Sequence, residues 1–329
     1  MRPRLLACTA GDALANGISG ALGQPLVRCT ETWFPSGEGK MVIQENVRGS
    51  DLYVVQAAVA PESGRSVYDN LMMLLHAVEA AALADAERVT AVVPYYPSAR
   101  QDKRKGRTRE GISAGLVARM LQSAGASRVL SVEIHNEAIS GMFDPARCQL
   151  ENVYLHNHLA PWACEQGLTG QSVVSPDVGG LERARRYAER LHVHLAAISK
   201  QRDYSQASVV RNSTLIGNVE GHDVTLVDDI VDTAGSVVSA CEELKAQGAG
   251  DITVLCAHAL LSGPAVRRLD KLAATARRDG WTFALVGTSS VPRSSAPDWY
   301  REYAIEPLLA QVITRLNTHG SVTDVQDGA

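Results

Sequence analysis

The sequence predicts an α/β protein of two similar domains, each a mainly parallel sheet flanked by helices. Three observations carry this expectation. Short β-branched apolar runs alternate with segments of helical period, the alternation occurs once before about residue 150 and again after it, and 329 residues suit two domains of ordinary size. With 45% apolar and 21% charged residues, a disordered or fibrous chain is excluded. A formal charge of -4 leaves no global basic field to hold nucleic acid or anionic lipid, so any polyanion must be bound locally.

The elements follow in chain order. Residues 2–8 pass from basic to apolar, and Asp12 ends the run before it reaches the length of a signal-peptide core, so a buried first strand is expected. Leu71, Leu74, Leu75, Val78 and Ala82 recur at helical spacing and predict one core-facing stripe. Residues 89–93 predict a strand, 112–121 a helix and 129–132 a strand. The aperiodic stretch 144–148 then precedes the second half, where 173–174 and 224–227 predict strands and 182–191 a helix. The expected domains are 1–153 and 154–318, with a flexible tail at 319–329. The six cysteines are scattered with no CxxC pair, which fits reduced thiols in a cytoplasmic protein, and no apolar stretch is long enough to span a membrane.

The strongest chemical signal lies at 224–236. An apolar strand runs into Asp228 and Asp229, and a turn of Asp232, Thr233, Ala234, Gly235 and Ser236 opens a helix whose buried stripe would be Val237, Cys241 and Leu244. Backbone N–H groups at such a turn and helix start can take a phosphate dianion, with the two hydroxyls adding donors. Carboxylates at the carboxyl end of a strand suit vicinal sugar hydroxyls or a metal. A plain helix cap would also explain the pattern.

This stretch resembles the phosphoribosyl-pyrophosphate signature shared by type I phosphoribosyltransferases and ribose-phosphate pyrophosphokinases. Residues 94–103 with Ile112-Ser113-Ala114 look like the nucleotide-binding segment of the pyrophosphokinases, and residues 175–180, Lys200-Gln201-Arg202 and residues 261–265 fall in that family's order and approximate spacing. From about Gly11 to Thr318 the chain therefore resembles the ribose-phosphate pyrophosphokinase family. The resemblance implies type I phosphoribosyltransferase-like domains and transfer of the β,γ-diphosphoryl group of Mg-ATP to the C1 hydroxyl of ribose 5-phosphate. It further implies a dimer-based homo-oligomer, commonly a hexamer, and Mg2+ as the metal.

The same resemblance assigns candidate residues. Arg100, Gln101 and Asp102 would contact ATP, and Phe34, Ser36, Gly37 and Glu38 would cradle adenine from a neighbouring subunit. Asp228, Asp229, Asp232, Thr233, Ala234, Gly235 and Ser236 would hold ribose 5-phosphate. His135 and Asp177 would ligate metal, with Glu133 and Asp144 as further candidates, and Lys200 and Arg202 would be the catalytic cations of a mobile loop. The chain departs from the family pattern at Ser36, Glu133, Ala138 and Ser140. A non-catalytic associated subunit and a phosphoribosyltransferase stand as alternatives.

Other features carry bland readings. The six cations of residues 100–109 are not interleaved with aromatic side chains, so stacking on a nucleic-acid strand is unsupported. The pairs His156/His158 and His192/His194 fit incidental placement. Residues 62–68 read as an insertion without a function.

Overall fold

The computed structural model describes residues 2–104, 106–202 and 210–328, with backbone alone at 200–202 and 210–213. The chain divides into two compact units, Met1–Tyr154 with Ser289–Ser294 and Ala304–Ala329, and Leu155–Thr288 with Ser295–Tyr303.

The first unit runs β1 (Arg4–Ala7), α1 (Asp12–Leu22), a hairpin of β2 (Cys29–Trp33) and β3 (Gly39–Ile43), β4 (Asp51–Val55), α2 (Val67–Leu83), β5 (Arg88–Val92), α3 (Ser113–Ser123), β6 (Arg128–Val132) and β7 (Gln149–Val153). Its sheet has the order β1-β4-β5-β6-β7 with every pair parallel. Parallel neighbours need crossovers; α1, α2 and α3 lie in those that lead to β4, β5 and β6, and a segment with a short 3-10 turn at Glu137–Met142 leads from β6 to β7. Leu52, Val54, Val55, Ala91 and Val92 are fully buried, as strands covered on both faces require. On α2 the predicted stripe of Leu71, Leu74, Leu75 and Val78 is buried, and Ser66 with Asp69 closes a capping box at its start.

The second unit contains α4 (His156–Glu165), β8 (Ser172–Ser175), α5 (Leu181–Leu191), β9 (His194–Arg202), β10 (Val210–Ile216), β11 (Val224–Val231), α6 (Gly235–Ala246), β12 (Ile252–Ala259), α7 (Ala265–Arg278), β13 (Phe283–Thr288) and β14 (Tyr300–Tyr303). Among the described residues the sheet order is β10-β9-β8-β11-β12-β13-β14, parallel except for β9 with β10. From β8 the chain winds outward to β9 and β10, then returns to β11 and winds the other way. The order thus reverses between β8 and β11, which is where open α/β sheets bind ligands. Val237, Cys241 and Leu244 of α6 join the core of this unit, as expected.

The C-terminal segments differ from the sequence expectation. α8 (Glu306–Asn317) and α9 (Val322–Gln326) belong to the first unit, not to a domain 154–318 followed by a loose tail 319–329. Leu309, Val312 and Ile313 of α8 are fully buried there. Ser321 caps α9, Val325 is buried, and Gln326 Nε2 donates to Asn152 O at 3.1 Å. Local periodicity identifies an apolar helix face but not which sheet will bury it. Among the described residues no helix is long and apolar enough to cross a membrane.

Gly170 sets the close approach of the strand entering β8 to the one entering β11. A Cβ there would stand 2.0 Å from Asp223 O and 2.6 Å from Val224 N, and backbone cannot retreat as a flexible side chain can. Gly170→Ala is expected to destabilise the fold by about 1–3 kcal/mol, the range for overpacking. A lowered urea midpoint at unchanged slope would show it, and an unchanged midpoint would refute it.

Candidate active site

The reversal point in the second unit collects the acidic residues. β11 pairs with β8 over Val224–Leu226, a register that sets Val227 level with Ser175, so residues 228–231 run on past the end of β8. Asp177 follows β8, and its Oδ1 accepts the Gly180 N–H at 3.0 Å. On β11, Asp229 is buried and paired with Arg183 Nη1 at 3.3 Å, while Asp228 Oδ1 accepts the Asp229 N–H at 2.9 Å. Burial, then the adjacent Asp229 carboxylate, holds Asp228 well above the usual carboxylate range, against the pull of Arg183.

That arrangement sets acidity against stability. With a folded pKa above the unfolded one, the stability linked to Asp228 is complete below the unfolded carboxylate pKa and is lost as pH rises through the folded value. Asp228→Asn, which cannot ionise, is therefore expected to stabilise the metal-free protein by about 0.5–2 kcal/mol at neutral pH. The gain should vanish near pH ~3.5, below the unfolded value of about 3.9. Melting curves at both pH values check this, and equal midpoints at neutral pH would contradict it.

Beyond β11 the chain turns sharply. Ala234 takes left-handed backbone, φ 60°, immediately before α6, and no side chain caps that helix. For a residue with a Cβ this costs about 1–2 kcal/mol, a strain characteristic of functional turns. The surrounding structure fixes the conformation: Asp232 O accepts Ser262 N–H at 2.9 Å, and Arg268 Nη1 donates to Thr233 O at 2.9 Å. Thr233, Gly235 and Ser236 remain exposed, so the uncapped helix start and both hydroxyls face the solvent from which an anion would enter.

Lys200 and Arg202 end β9, and their side chains lie outside the described residues. The backbone still places them. β9 pairs with β8 from His194 to Ala197 and then continues to Arg202, paired among the described residues only with β10. Residues 198–202 thus project past the same carboxyl edge that carries Asp177 and Asp228.

In the first unit the predicted nucleotide segment follows β5. Ser98 has left-handed backbone, φ 60°, and its carbonyl accepts the Gln101 N–H at 2.9 Å. Gln101 Oε1 accepts from Ser113 Oγ at 2.7 Å, which ties the turn to the start of α3 and fixes the orientation of the amide. Arg100 is exposed. Asp102 is buried; its carboxylate accepts from Asn136 Nδ2 and lies 3.8 Å from Lys103 Nζ. It locks the segment after β5 to the loop after β6, where His135 is exposed and Glu133 is buried with φ 42°. The structure thus brings residues 100–102 beside 135–136. Asp144 is occupied in its own loop: Oδ1 accepts Ala146 N–H at 3.0 Å, and Oδ2 forms an ion pair with Arg147 Nε at 3.6 Å.

Phe34, Ser36, Gly37 and Glu38 form the tip joining β2 to β3. Gly37 at φ 87° permits the reversal, Phe34 N–H donates to Glu38 O at 2.8 Å, and Ser36 Oγ donates to Glu38 Oε2 at 2.9 Å. The Phe34 ring is 44% exposed, with Lys40 Nζ 5.8 Å from its centroid.

Among the described residues, no three His, Cys, Asp or Glu side chains converge on a metal position. Any divalent ion would take much of its shell from phosphate oxygens and water, a habit that fits Mg2+ better than a closed protein cage. Sequence reasoning missed Arg183, Arg268 and Asn136. Arg183 had a local signal, three residues beyond Gly180 in the first turn of α5, whereas the roles of Arg268 and Asn136 depend on long-range contacts.

Residues 3–125 match the N-terminal domain of ribose phosphate pyrophosphokinase and residues 152–287 the phosphoribosyl transferase domain. The chain is 36% identical over 322 residues to a ribose-phosphate pyrophosphokinase of Bacillus subtilis, covering 97% of this chain and 96% of that protein. It is 41% identical over 271 residues to ribose-phosphate pyrophosphokinase 2 of Enterococcus faecalis, covering 82% and 80%. The crystal structure of phosphoribosylpyrophosphate synthetase from Mycobacterium smegmatis superposes with a TM-score of 0.85 at 32% identity, covering 97% of this chain and 100% of that one. By these matches, which run through both units, the chain belongs to the ribose-phosphate pyrophosphokinase family.

Proposed function

We propose that the chain transfers the β,γ-diphosphoryl group of Mg-ATP to the C1 hydroxyl of ribose 5-phosphate, giving phosphoribosyl pyrophosphate and AMP. The observation that carries this reading is that relatives named for the activity align over 97% of the chain, through both units and not the second alone. A phosphoribosyltransferase would leave the Arg100–Gln101 segment without a task.

Diphosphoryl transfer asks for positioning and charge neutralisation more than covalent help. The 5-phosphate sits on the Thr233–Ser236 turn and the start of α6, and the carboxylates of Asp228 and Asp229 accept from the ribose hydroxyls. Arg100 and Gln101 orient the triphosphate, Asp102 holds them in place, and the Phe34 hairpin meets the adenine. Mg2+ would supply neutralisation of the triphosphate charge; in the first unit His135, with Glu133 and Asp144 as further candidates, would hold such an ion, and in the second unit Asp177 would. Lys200 and Arg202 stabilise charge developing as the C1 oxygen bonds to the β-phosphorus and the bridging oxygen departs with AMP.

AMP release, measured with and without ribose 5-phosphate, tests the reading. Release that requires the sugar supports it. No release, or consumption of phosphoribosyl pyrophosphate with a nucleobase, defeats it in favour of a non-catalytic subunit or a transferase. A dimer-based homo-oligomer belongs to the same proposal, and sedimentation of the whole chain reports it.

A further inference from the structure

Residues 62–68 have no part in the reaction as set out above. We infer that this stretch is a brace joining the hairpin that carries Phe34 to the turn that carries Arg100, and that Arg65 and Tyr68 are positioning residues for the nucleotide. The inference rests on the reading of those two elements as ATP contacts.

Three anchors define the brace, all within the first unit. Glu62 accepts from both the backbone N–H and the hydroxyl of Ser294, at 2.7 and 2.6 Å, and these two bonds hold its carboxyl below the usual range. Arg65 lays its guanidinium over the Trp33 ring, 4.1 Å from the centroid, one residue before Phe34. The indole N–H of Trp33 is in turn held by Glu31 Oε1 at 2.6 Å, and Gly39 across the hairpin packs so closely that an added Cβ would meet the Trp33 ring at 3.2 Å. A planar cation on an aromatic face sets the orientation of both, so the angle of the hairpin tip depends on where Arg65 is held.

The third anchor reaches the other element. The Tyr68 hydroxyl lies 3.4 Å from Ser98 Oγ, and Ser98 is the left-handed residue whose carbonyl closes the turn onto Gln101. The capping box of Ser66 and Asp69 encloses Tyr68 and makes the start of α2 a stiff link from Arg65 to it. Through four residues of chain, the brace therefore fixes both the base-facing tip and the phosphate-facing turn. Neither Arg65 nor Tyr68 has to touch the nucleotide to do so.

Calorimetry of Mg-ATP with the whole chain, without ribose 5-phosphate, tests the brace in Arg65→Ala and Tyr68→Phe, alongside steady-state kinetics. Arg65→Ala is expected to weaken ATP binding and raise KM for ATP by about two- to five-fold, the fold-change matching an exposed cation–π contact. The KM for ribose 5-phosphate and the thermal midpoint should hold, and Arg65→Lys, which keeps charge but loses the plane, should fall between Ala and the parent. Unchanged ATP affinity in both variants overturns the brace, as does an equal loss for both substrates. If the unaltered chain binds ATP and the variants bind it less tightly, yet no AMP is released, the brace stands and the proposed reaction falls. If the unaltered chain binds no ATP, both fall.

Discussion

Lys200→Ala is expected to lower kcat by about 10²- to 10³-fold while ribose 5-phosphate still binds, the scale of losing one preorganised donor to transition-state charge. The backbone supplies the reason. β8 ends its pairing at Ser175 with Ala197, and Lys200 lies three residues further along β9, about 10 Å past that edge at ~3.3 Å per residue. Among the described residues only β10 accompanies it, through Ser213 opposite Lys200, so this part of β9 is a two-stranded extension beyond the sheet. Lys200 thus lies beyond the carboxyl edge that carries Asp177 and Asp228, and is separate in the chain from the turn at 232–236 proposed to take the sugar phosphate. Removing it should therefore strike kcat and spare ground-state binding of ribose 5-phosphate. Single-turnover AMP release together with calorimetry for ribose 5-phosphate decides the matter, and near-normal turnover would remove Lys200 from the chemistry.

The parallel sheets were legible because strands buried on both faces must be almost continuously apolar; residues 89–93, 129–132 and 224–227 announce themselves in that way. The turn at 228–236 was legible for a different reason. Adjacent acids, hydroxyls and a glycine between a strand and a helix are an unusual combination with few uses. What sequence could not supply was partnership at a distance. The resemblance assigns Asp102 to ATP, but nothing local announces that it is buried against Asn136, 34 positions away, and fastens one loop to another. The strain at Ala234 was equally hidden, since no composition rule puts alanine in left-handed backbone; long-range bonds such as those from Arg268 to Thr233 and from Ser262 to Asp232 hold the turn. The destination of α8 was hidden for the same reason, because its apolar stripe would suit either sheet.

The attachment of α8 yields the second large expectation. Asp51 opens β4 at 2% exposure, and one of its oxygens, Oδ2, accepts from Tyr53 Oη at 3.0 Å, Arg88 Nη2 at 2.9 Å and Asn317 Nδ2 at 2.7 Å. Asn317, at the last turn of α8, is 266 positions away in the chain, so this carboxylate fastens the returning C-terminal helix to the first sheet. Burial followed by the Asp51 charge also drives the Tyr53 phenol far above its usual range, so Tyr53 serves only as a donor here. In Asp51→Ala three donors lose their acceptor at once, and one of them is a guanidinium. Breaking a buried pair from one side costs about 3–5 kcal/mol. The Arg88 side chain is 31% exposed and can recover some hydration, which places the expected loss near the lower end, about 3 kcal/mol. Asp51→Asn keeps an acceptor oxygen and should lose less. Hydrogen exchange separates this from a general softening: amides of Glu306–Asn317 should lose protection first and most, whereas those of β11 and β12 in the second unit should keep theirs. Uniform loss across both units, or a midpoint within error of the parent, would show that the carboxylate does not hold the helix.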